Sequence, residues 1–314
     1  GKGQETYIPK FTYHGFQYVE VIADKPITLD INSITGLLVH TDLTSVGTFN
    51  CSNELLNKIY EATRNAYISN IHSIPTDCPT REKNGWTADA HTAMEFALFN
   101  FDGYSFYEKW IRDFYDVQKK TGELPDIVPT ADWGYPGGNP AWDAAFFIIP
   151  NEMYMYYGNP AMLKEPYEYY KKYLDFIGKK ANNYLLDFRL WDWCTYKAST
   201  PVELTSSMFY YTMTKLMAKS AKLNGKISDI QKYEDLAKKI RKAINDKFYN
   251  STIGIYANGT QTAQSYALYS GIVPEGQESK VARVLADSIQ ANGNFLDFGL
   301  FGSKSVLNIL SEYG

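Results

Sequence analysis

Ten stretches with the apolar periodicity of an α-helix follow one another through most of this 314-residue chain. The first begins after Asn53, and apolar side chains repeat at intervals of about 3.6 residues from Leu55 to Tyr67. Turns rich in Gly, Pro and Asn separate the stretches, with almost no strand pattern between them. Such a succession of helix hairpins favours an α/α toroid, in which paired helices form a ring. We expect the other nine helices near residues 88–101, 104–119, 142–157, 166–178, 202–223, 228–248, 262–270, 277–290 and 303–311.

The first 46 residues have a different pattern. β-branched and aromatic side chains alternate with polar ones through residues 16–21 and again through residues 27–31, which is typical of β-strands. A few strands alone leave unpaired edges. We therefore predict a small antiparallel β segment, the remnant of a β-sandwich domain over residues 1–47, and a helical barrel domain over residues 48–314.

Composition argues against several classes of function. The 31 Lys and Arg residues and 35 Asp and Glu residues give a net charge of −4 and form no long runs, so there is no basic surface for nucleic acid or an anionic membrane. No apolar run reaches the roughly 20 residues of a membrane span. Cys51, Cys78 and Cys194 lack a Cys-x-x-Cys spacing, which argues against a zinc site. We expect no metal and no cofactor.

The segment from Asp77 to Asp89 carries the densest cluster of reactive side chains. It reads DCPTREKNGWTAD and holds three carboxylates, two cations and a tryptophan around a turn that Pro79 and Gly85 enforce. A loop that starts with proline and contains glycine does not continue a helix, so its side chains converge from irregular backbone between helices. Catalytic groups are often placed on such loops.

This segment resembles the signature of the inverting α-L-rhamnosidases of glycoside hydrolase family 78, Asp-Cys-Pro-x-Arg-(Asp)-Glu-(x)-x-Gly-Trp-Thr-Gly-Asp. Ala88 stands where the family usually has glycine. Further matches follow in family order along almost the whole chain: FTYHGFQYVEV at 11–21, PAWDAA at 140–145, WDW at 191–193, TAQSYAL at 262–268 and FGSK at 301–304.

The resemblance implies a fold, an activity and a substrate. The catalytic domain of the family is a barrel of six helix pairs, so ten helices are one pair short. We therefore expect a mainly α protein with an (α/α)6 toroid that is incomplete at its C-terminal end. The implied activity is release of terminal rhamnose from glycosides or polysaccharides, with rhamnosides as the partners. The oligomeric state stays open, and we expect a periplasmic or secreted location for a full-length parent.

The resemblance also assigns the catalytic groups. Glycoside hydrolysis with inversion needs a proton donor and a second carboxylate, roughly 6.5–9.5 Å away, that activates water. The family's general acid is the glutamate after the arginine of the signature, which matches Glu82. Its general base is a glutamate near the end of the barrel, and the sequence stops before that position; Glu312 does not match it. We therefore expect this chain alone to be weak or inactive as a hydrolase.

Several residues of the loop are expected to bind the sugar, and each has a structural alternative. Asp77 and Asp89 are assigned to hydroxyl recognition, although Asp77 suits an Asx-turn and Asp89 the first turn of a helix. Trp86 is expected to stack on the sugar, against ordinary core packing. Arg81 either clamps a hydroxyl or pairs with Asp77. His72 lies near the loop, but a lone histidine is more often structural.

Two further pairs combine an aromatic ring with an acceptor, as sugar subsites do. Trp142 with Asp143 and Asp192 with Trp193 are predicted to bind substrate. The alternatives are a helix N-cap for Asp143 and an exposed turn for Asp192. The glycine- and proline-rich loop at 132–140 either rims the pocket or is a plain surface loop.

Other functions remain open from the sequence alone. A non-catalytic carbohydrate-binding protein would have the same pocket without hydrolysis. A helical interaction scaffold would use its aromatic residues only in the core. Within enzymes, another inverting α/α-barrel glycosidase is the nearest rival.

Overall fold

The computed structural model describes residue 3 and residues 5–130, 133–134 and 138–314. The described helices are α1 (Glu54–Ile68), α2 (Thr87–Asn100), α3 (Tyr104–Val117), α4 (Pro140–Asp143), α5 (Ala145–Tyr157), α6 (Ala161–Lys164), α7 (Tyr167–Gly178), α8 (Val202–Leu223), α9 (Ile227–Phe248), α10 (Gln261–Tyr269), α11 (Glu278–Ala291) and α12 (Leu300–Tyr313). All ten predicted helices are present. The predicted start of α1 is confirmed, because the Asn53 side chain accepts hydrogen bonds from the N–H groups of Leu55 and Leu56 at 3.0 and 3.4 Å.

Inner and outer helices alternate along the chain. Among the described residues α8 buries 14 of its 22 residues, whereas α9 buries only 4 of its 22, spaced three or four apart on one face. Contacts between α2 and α5, α5 and α8, α8 and α10, α10 and α12, and α12 and α2 close an inner ring. Helices α3, α7, α9 and α11 pack on its outside. The predicted mainly α fold of ringed helix hairpins is confirmed.

The N-terminal segment differs from the expectation. Residues 16–21 and 27–31 form no strand, and Phe16, Tyr18 and Val19 are exposed. The physical reason is that a strand needs a neighbour to pair its N–H and C=O groups, and no described segment lies alongside these residues as a strand. The small antiparallel sheet forms elsewhere, between β1 (Tyr249–Asn250) and β2 (Ile255–Tyr256).

Aromatic rings fill the inner ring near the start of its helices. The imidazole of His91 stacks on Phe301 at 6.1 Å, and Phe209 and Trp142 pack against the same phenyl ring at 4.8 and 5.3 Å. His91 is buried, and this burial lowers its pKa to about 4. A cavity of about 180 Å³ lies beside this layer, between α2, α5, α8, α10 and α12.

An ion pair joins α12 to its neighbour α2 in the inner ring. Lys304 Nζ lies 3.2 Å from Glu95 Oε2, and the two side chains are 16% and 35% exposed. We expect Lys304→Met to lower the free energy of unfolding by about 1–2 kcal/mol, because Glu95 would lose its cation in a half-buried position where solvent screens part of the charge. Urea denaturation at pH 7 measures this change.

Lys242→Met is the matched control for this prediction. It breaks the pair between Lys242 and Asp246, whose side chains are 74% and 62% exposed, so it should cost less than about 1 kcal/mol. Equal losses in the two variants would contradict a special contribution from the interior pair.

Candidate active site

The loop between α1 and α2 is closed by Asp77 and Asn84. The N–H of Asp77 donates to the carbonyl of Asn84 at 3.0 Å, and the N–H of Asn84 donates to Asp77 Oδ1 at 2.9 Å. The N–H of Glu82 donates to Cys78 Sγ at 3.2 Å inside this closure. Asp77 therefore serves the turn, as its structural alternative proposed, while it remains half-buried beside the other carboxylates.

Gly85 fixes the end of the loop against the helical body. Its carbonyl accepts from the N–H of Val128 at 2.9 Å, and a Cβ at this position would lie 2.0 Å from the Val128 carbonyl oxygen. Only glycine permits this approach. The chain then enters α2, where Ala88 is fully buried in the first turn. Alanine suits that position because it has the highest helix propensity.

Glu82 and Trp86 are joined by a short hydrogen bond. The indole Nε1–H of Trp86 donates to Glu82 Oε2 at 2.6 Å, which is short for a hydrogen bond from a nitrogen donor. Glu82 is exposed and Trp86 is half-buried. Trp133, 52% exposed, packs edge-on to Trp86 at 5.6 Å. The carboxyl is thus oriented by an indole and open to a ligand.

Asp89 is electrostatically coupled to the other two acids of the loop. It lies in the first turn of α2, and burial raises its pKa to about 7, with further increases from the negative charges of Asp77 and Glu82. The three carboxylates therefore share one neighbourhood. Arg81 is exposed on the same loop, and the structure shows no ion pair between Arg81 and Asp77.

Asp143 and Trp142 lie in the core. Asp143 Oδ2 accepts from the N–H of Asn139 and from the hydroxyl of Tyr173, each at 2.7 Å. The carboxyl is fully buried, which raises its pKa well above the usual range. Trp142 is 2% exposed and packs on Phe301. In this arrangement neither side chain has the surface that the predicted sugar contact requires.

Asp192 is also buried, while its neighbour Trp193 is exposed. Asp192 Oδ2 accepts from the hydroxyl of Thr262 at 2.5 Å and from the N–H of Gly299 at 2.9 Å, and Oδ1 accepts from the N–H of Phe301 at 2.8 Å. The carboxylate therefore joins its loop to α10 and to the start of α12 and is not an exposed turn. Trp193, 46% exposed, lies 6.1 Å from the ring of Trp191 and offers an open aromatic surface.

The remaining candidates fall around the loop or outside the described residues. His72 is half-buried and stacks on Tyr13 at 3.7 Å, with its pKa lowered by burial. Asp132 and residues 135–137 of the predicted rim loop lie outside the described residues.

None of the nine predicted site residues, all of them described, lines the cavity inside the ring. No group of three His, Cys, Asp or Glu side chains in the described parts of the chain is arranged for a metal ion. No described helix has the length and apolarity of a membrane span.

Sequence reasoning missed three participants. Trp133 contacts Trp86, and the sequence pointed to it only as part of the glycine- and proline-rich loop at 132–140. Lys83 and Tyr13 contact each other at 2.7 Å, between the Lys83 ammonium and the Tyr13 carbonyl. The motif at 11–21 marked the Tyr13 region, but nothing in the sequence indicated which loop it would touch.

The structure is a ring of helix hairpins with grouped carboxylates and exposed indoles in its loops, side chains that sugar-binding sites also use. Residues 44–314 match the bacterial alpha-L-rhamnosidase six-hairpin glycosidase domain, and residues 1–40 match the bacterial alpha-L-rhamnosidase concanavalin-like domain. The chain belongs to the bacterial α-L-rhamnosidase family. The resemblance seen in the sequence is confirmed.

Individual relatives agree with this assignment. An alpha-L-rhamnosidase of Formosa agariphila is 33% identical over all of this chain and 35% of its own length, and one of Streptomyces avermitilis is 30% identical over all of this chain and 30% of its own. The α-L-rhamnosidase structure from Dictyoglumus thermophilum superposes with a TM-score of 0.85 at 38% identity, over 92% of this chain and 34% of that one. The Streptomyces avermitilis enzyme complexed with L-rhamnose gives 0.83 at 26% identity, over 88% and 26%. This chain spans about a third of the length of these relatives.

Asp192→Ala tests whether this carboxylate is structural. We expect the free energy of unfolding to fall by about 3–5 kcal/mol, because three buried donors would lose their acceptor. Thermal and urea denaturation measure the loss, and Asp187→Ala, at an exposed position five residues away, should change stability little. Weaker binding of L-rhamnose with unchanged stability would instead favour the predicted sugar contact.

Asp89→Asn tests the raised pKa of this carboxyl. Because the folded-state pKa of about 7 exceeds that of an unfolded chain, ionisation of Asp89 costs stability as the pH rises from about 4 to about 7. The asparagine variant should be more stable than the wild type by roughly 2–4 kcal/mol at pH 8, and the difference should vanish near pH 4. Urea denaturation across this range checks it, with exposed Asp24→Asn as the control. A difference that does not change with pH would contradict the raised pKa.

Proposed function

We propose that this chain carries the acid half of an inverting α-L-rhamnosidase, in which Glu82 protonates the oxygen that leaves terminal rhamnose. The observation that carries the proposal is the 2.6 Å hydrogen bond from Trp86 Nε1 to Glu82 Oε2, next to Asp77 and Asp89. Membership of the bacterial α-L-rhamnosidase family supports the activity. The L-rhamnose complex of the Streptomyces avermitilis relative supports the sugar.

The geometry suits Glu82 to the transfer of one proton. With Oε2 engaged by the indole, the proton of the acid form is carried on Oε1, the oxygen that the exposed carboxyl offers to a ligand. The fixed indole limits rotation of the carboxyl and so orients this proton. Transfer to the glycosidic oxygen then accompanies cleavage of its bond to the anomeric carbon.

Recognition of the sugar falls to the remaining groups of the loop and to the exposed indoles. Asp77 and Asp89 accept hydrogen bonds from neighbouring sugar hydroxyls, and Arg81 donates to one. Trp193 supplies a face for stacking. Three buried residues that the sequence assigned to substrate instead stabilise the surrounding loops: Trp142, Asp143 and Asp192.

The general base is proposed to lie outside these 314 residues, as the family resemblance implies. A small nucleophile can replace both the base and the water. Azide would attack the anomeric carbon from the β face, the bond to the leaving oxygen would break, and Glu82 would give its proton to that oxygen. Azide should therefore raise the rate of cleavage of an aryl α-L-rhamnoside and yield β-L-rhamnosyl azide, identified by NMR.

Glu82→Gln is the decisive variant in this assay. The amide oxygen still accepts from Trp86, but there is no proton to transfer, so the azide-supported rate should fall about 10²–10⁴-fold for a phenyl rhamnoside. The loss should shrink for a dinitrophenyl leaving group, which needs little protonation. Binding of L-rhamnose, measured by calorimetry, should change less than about threefold, since the shape and hydrogen-bond acceptor are kept.

Exposed Glu61→Gln on α1 is the matched control and should leave both readouts unchanged. A Glu82→Gln variant as active as the wild type would remove Glu82 from the role of acid. L-rhamnose binding without turnover under any of these conditions would favour the non-catalytic carbohydrate-binding protein. Absence of both binding and turnover would overturn the proposed function.

A further inference from the structure

Residues 13–15 of the N-terminal segment contact the loop of residues 77–86, which we call the acid loop, on both sides of Glu82. Before it in the loop, the carbonyl of Pro79 accepts from the N–H of Gly15 at 3.2 Å. After it, the ammonium of Lys83 donates to the carbonyl of Tyr13 at 2.7 Å. Two connections that bracket the proposed acid restrict its backbone more than either alone.

The ring of Tyr13 contacts two side chains. It stacks on the imidazole of His72 at a centroid distance of 3.7 Å and an interplanar angle of 18°, and Lys83 Nζ lies 4.9 Å from its centroid. An ammonium over an aromatic face is attracted by the ring quadrupole. The pKa of the Tyr13 hydroxyl is raised by partial burial, with a smaller contribution from the charge of Asp77. Tyr13 therefore lies near Asp77 of the carboxylate cluster.

The backbone of Lys83 needs such support. Its φ of 56° lies in the left-handed region, which residues other than glycine rarely occupy. Such a conformation persists where the surrounding structure over-determines it, and here the side chain is bound to Tyr13. The turn at Lys83 brings Glu82 and Trp86 within hydrogen-bonding distance.

Gly15 allows the segment to come this close. A Cβ at position 15 would lie 2.5 Å from Thr80 Cγ2, a distance that requires at least the Thr80 side chain to move. The contact therefore depends on a residue outside the loop and outside the helical ring.

We propose that Tyr13, Gly15 and Lys83 form a clamp through which the N-terminal segment sets the geometry of the Glu82–Trp86 pair. Lys83 is a positioning residue in this proposal, since it acts on the sugar only through its neighbours. The consequence for rhamnose binding rests on the proposed function, whereas the clamp itself does not. Residues that match the concanavalin-like domain would thereby control the acid of the helical domain.

The indole signal of Trp86 reports the clamp directly. The full chain is labelled with ¹⁵N-tryptophan, which gives signals from 6 indoles, and Trp86→Phe identifies the signal of interest. Lys83→Asn removes the ammonium but keeps a residue that tolerates the left-handed region. Gly15→Ala disturbs the clamp from the other side. In both variants the Trp86 indole proton should move upfield, because its hydrogen bond to Glu82 lengthens, and L-rhamnose should bind about three- to tenfold more weakly.

The conservative variant and the control define the outcomes. Lys83→Arg keeps the cation and should keep the wild-type signal, as should exposed Lys10→Asn in the same segment. A Trp86 signal that stays in place in Lys83→Asn and Gly15→Ala, with circular dichroism showing either variant folded, would overturn the clamp. A Lys83→Arg signal displaced as far as that of Lys83→Asn would also count against it. If the wild type does not bind L-rhamnose, the proposed function fails while the indole signal still decides the clamp.

Discussion

The close contact of Gly85 with Val128 determines where the acid loop joins the helical body. The two backbones approach so closely that no side chain fits at position 85, and the hydrogen bond between them fixes the direction in which the chain enters α2. Asp89 lies in the first turn of that helix and Trp86 immediately before it. The positions of the indole partner and of the coupled carboxylate follow from this approach.

The carboxylates of Asp192, Asp143 and Asp89 differ in how completely their oxygens are hydrogen-bonded. Asp192 accepts from three donors on two other elements, which compensates for removing a polar group from water. Asp143 accepts from a backbone N–H and a tyrosine hydroxyl through Oδ2 only, and its buried Oδ1 accepts from no described group. The raised pKa of Asp89 instead reflects burial and neighbouring negative charge. Under the proposed function the Asp89 carboxyl gains a hydrogen bond from a sugar hydroxyl, whereas Asp192 would have to give up existing hydrogen bonds to accept one.

Much of the fold follows from local pattern, and little of the site does. The ten long helices were predictable because each carries its own apolar periodicity and turn residues. The roles of Asp143 and Asp192 were not, since Tyr173 is 30 residues from Asp143 and Phe301 is 109 residues from Asp192. The strand pattern at 16–21 was real as a pattern, but pairing depends on a neighbour that alternation alone does not supply. The signature identified the acid loop, yet not the Lys83 turn that brings its two functional residues together.

The boundary between the two matched domains is not a boundary of physical contact. Residues 1–40 and 44–314 match different domains, but Tyr13 and Gly15 bond to the acid loop. Just past residue 40 the connection continues, as the N–H of Thr41 donates to the carbonyl of Ile71 at 2.7 Å and that of Val46 to the carbonyl of Asn100 at 2.9 Å. These bonds attach the segment to both ends of the α1–α2 hairpin, whose connecting loop carries Glu82. Because the left-handed turn at Lys83 is held from the segment, the geometry of the acid is a property of the two matched regions together.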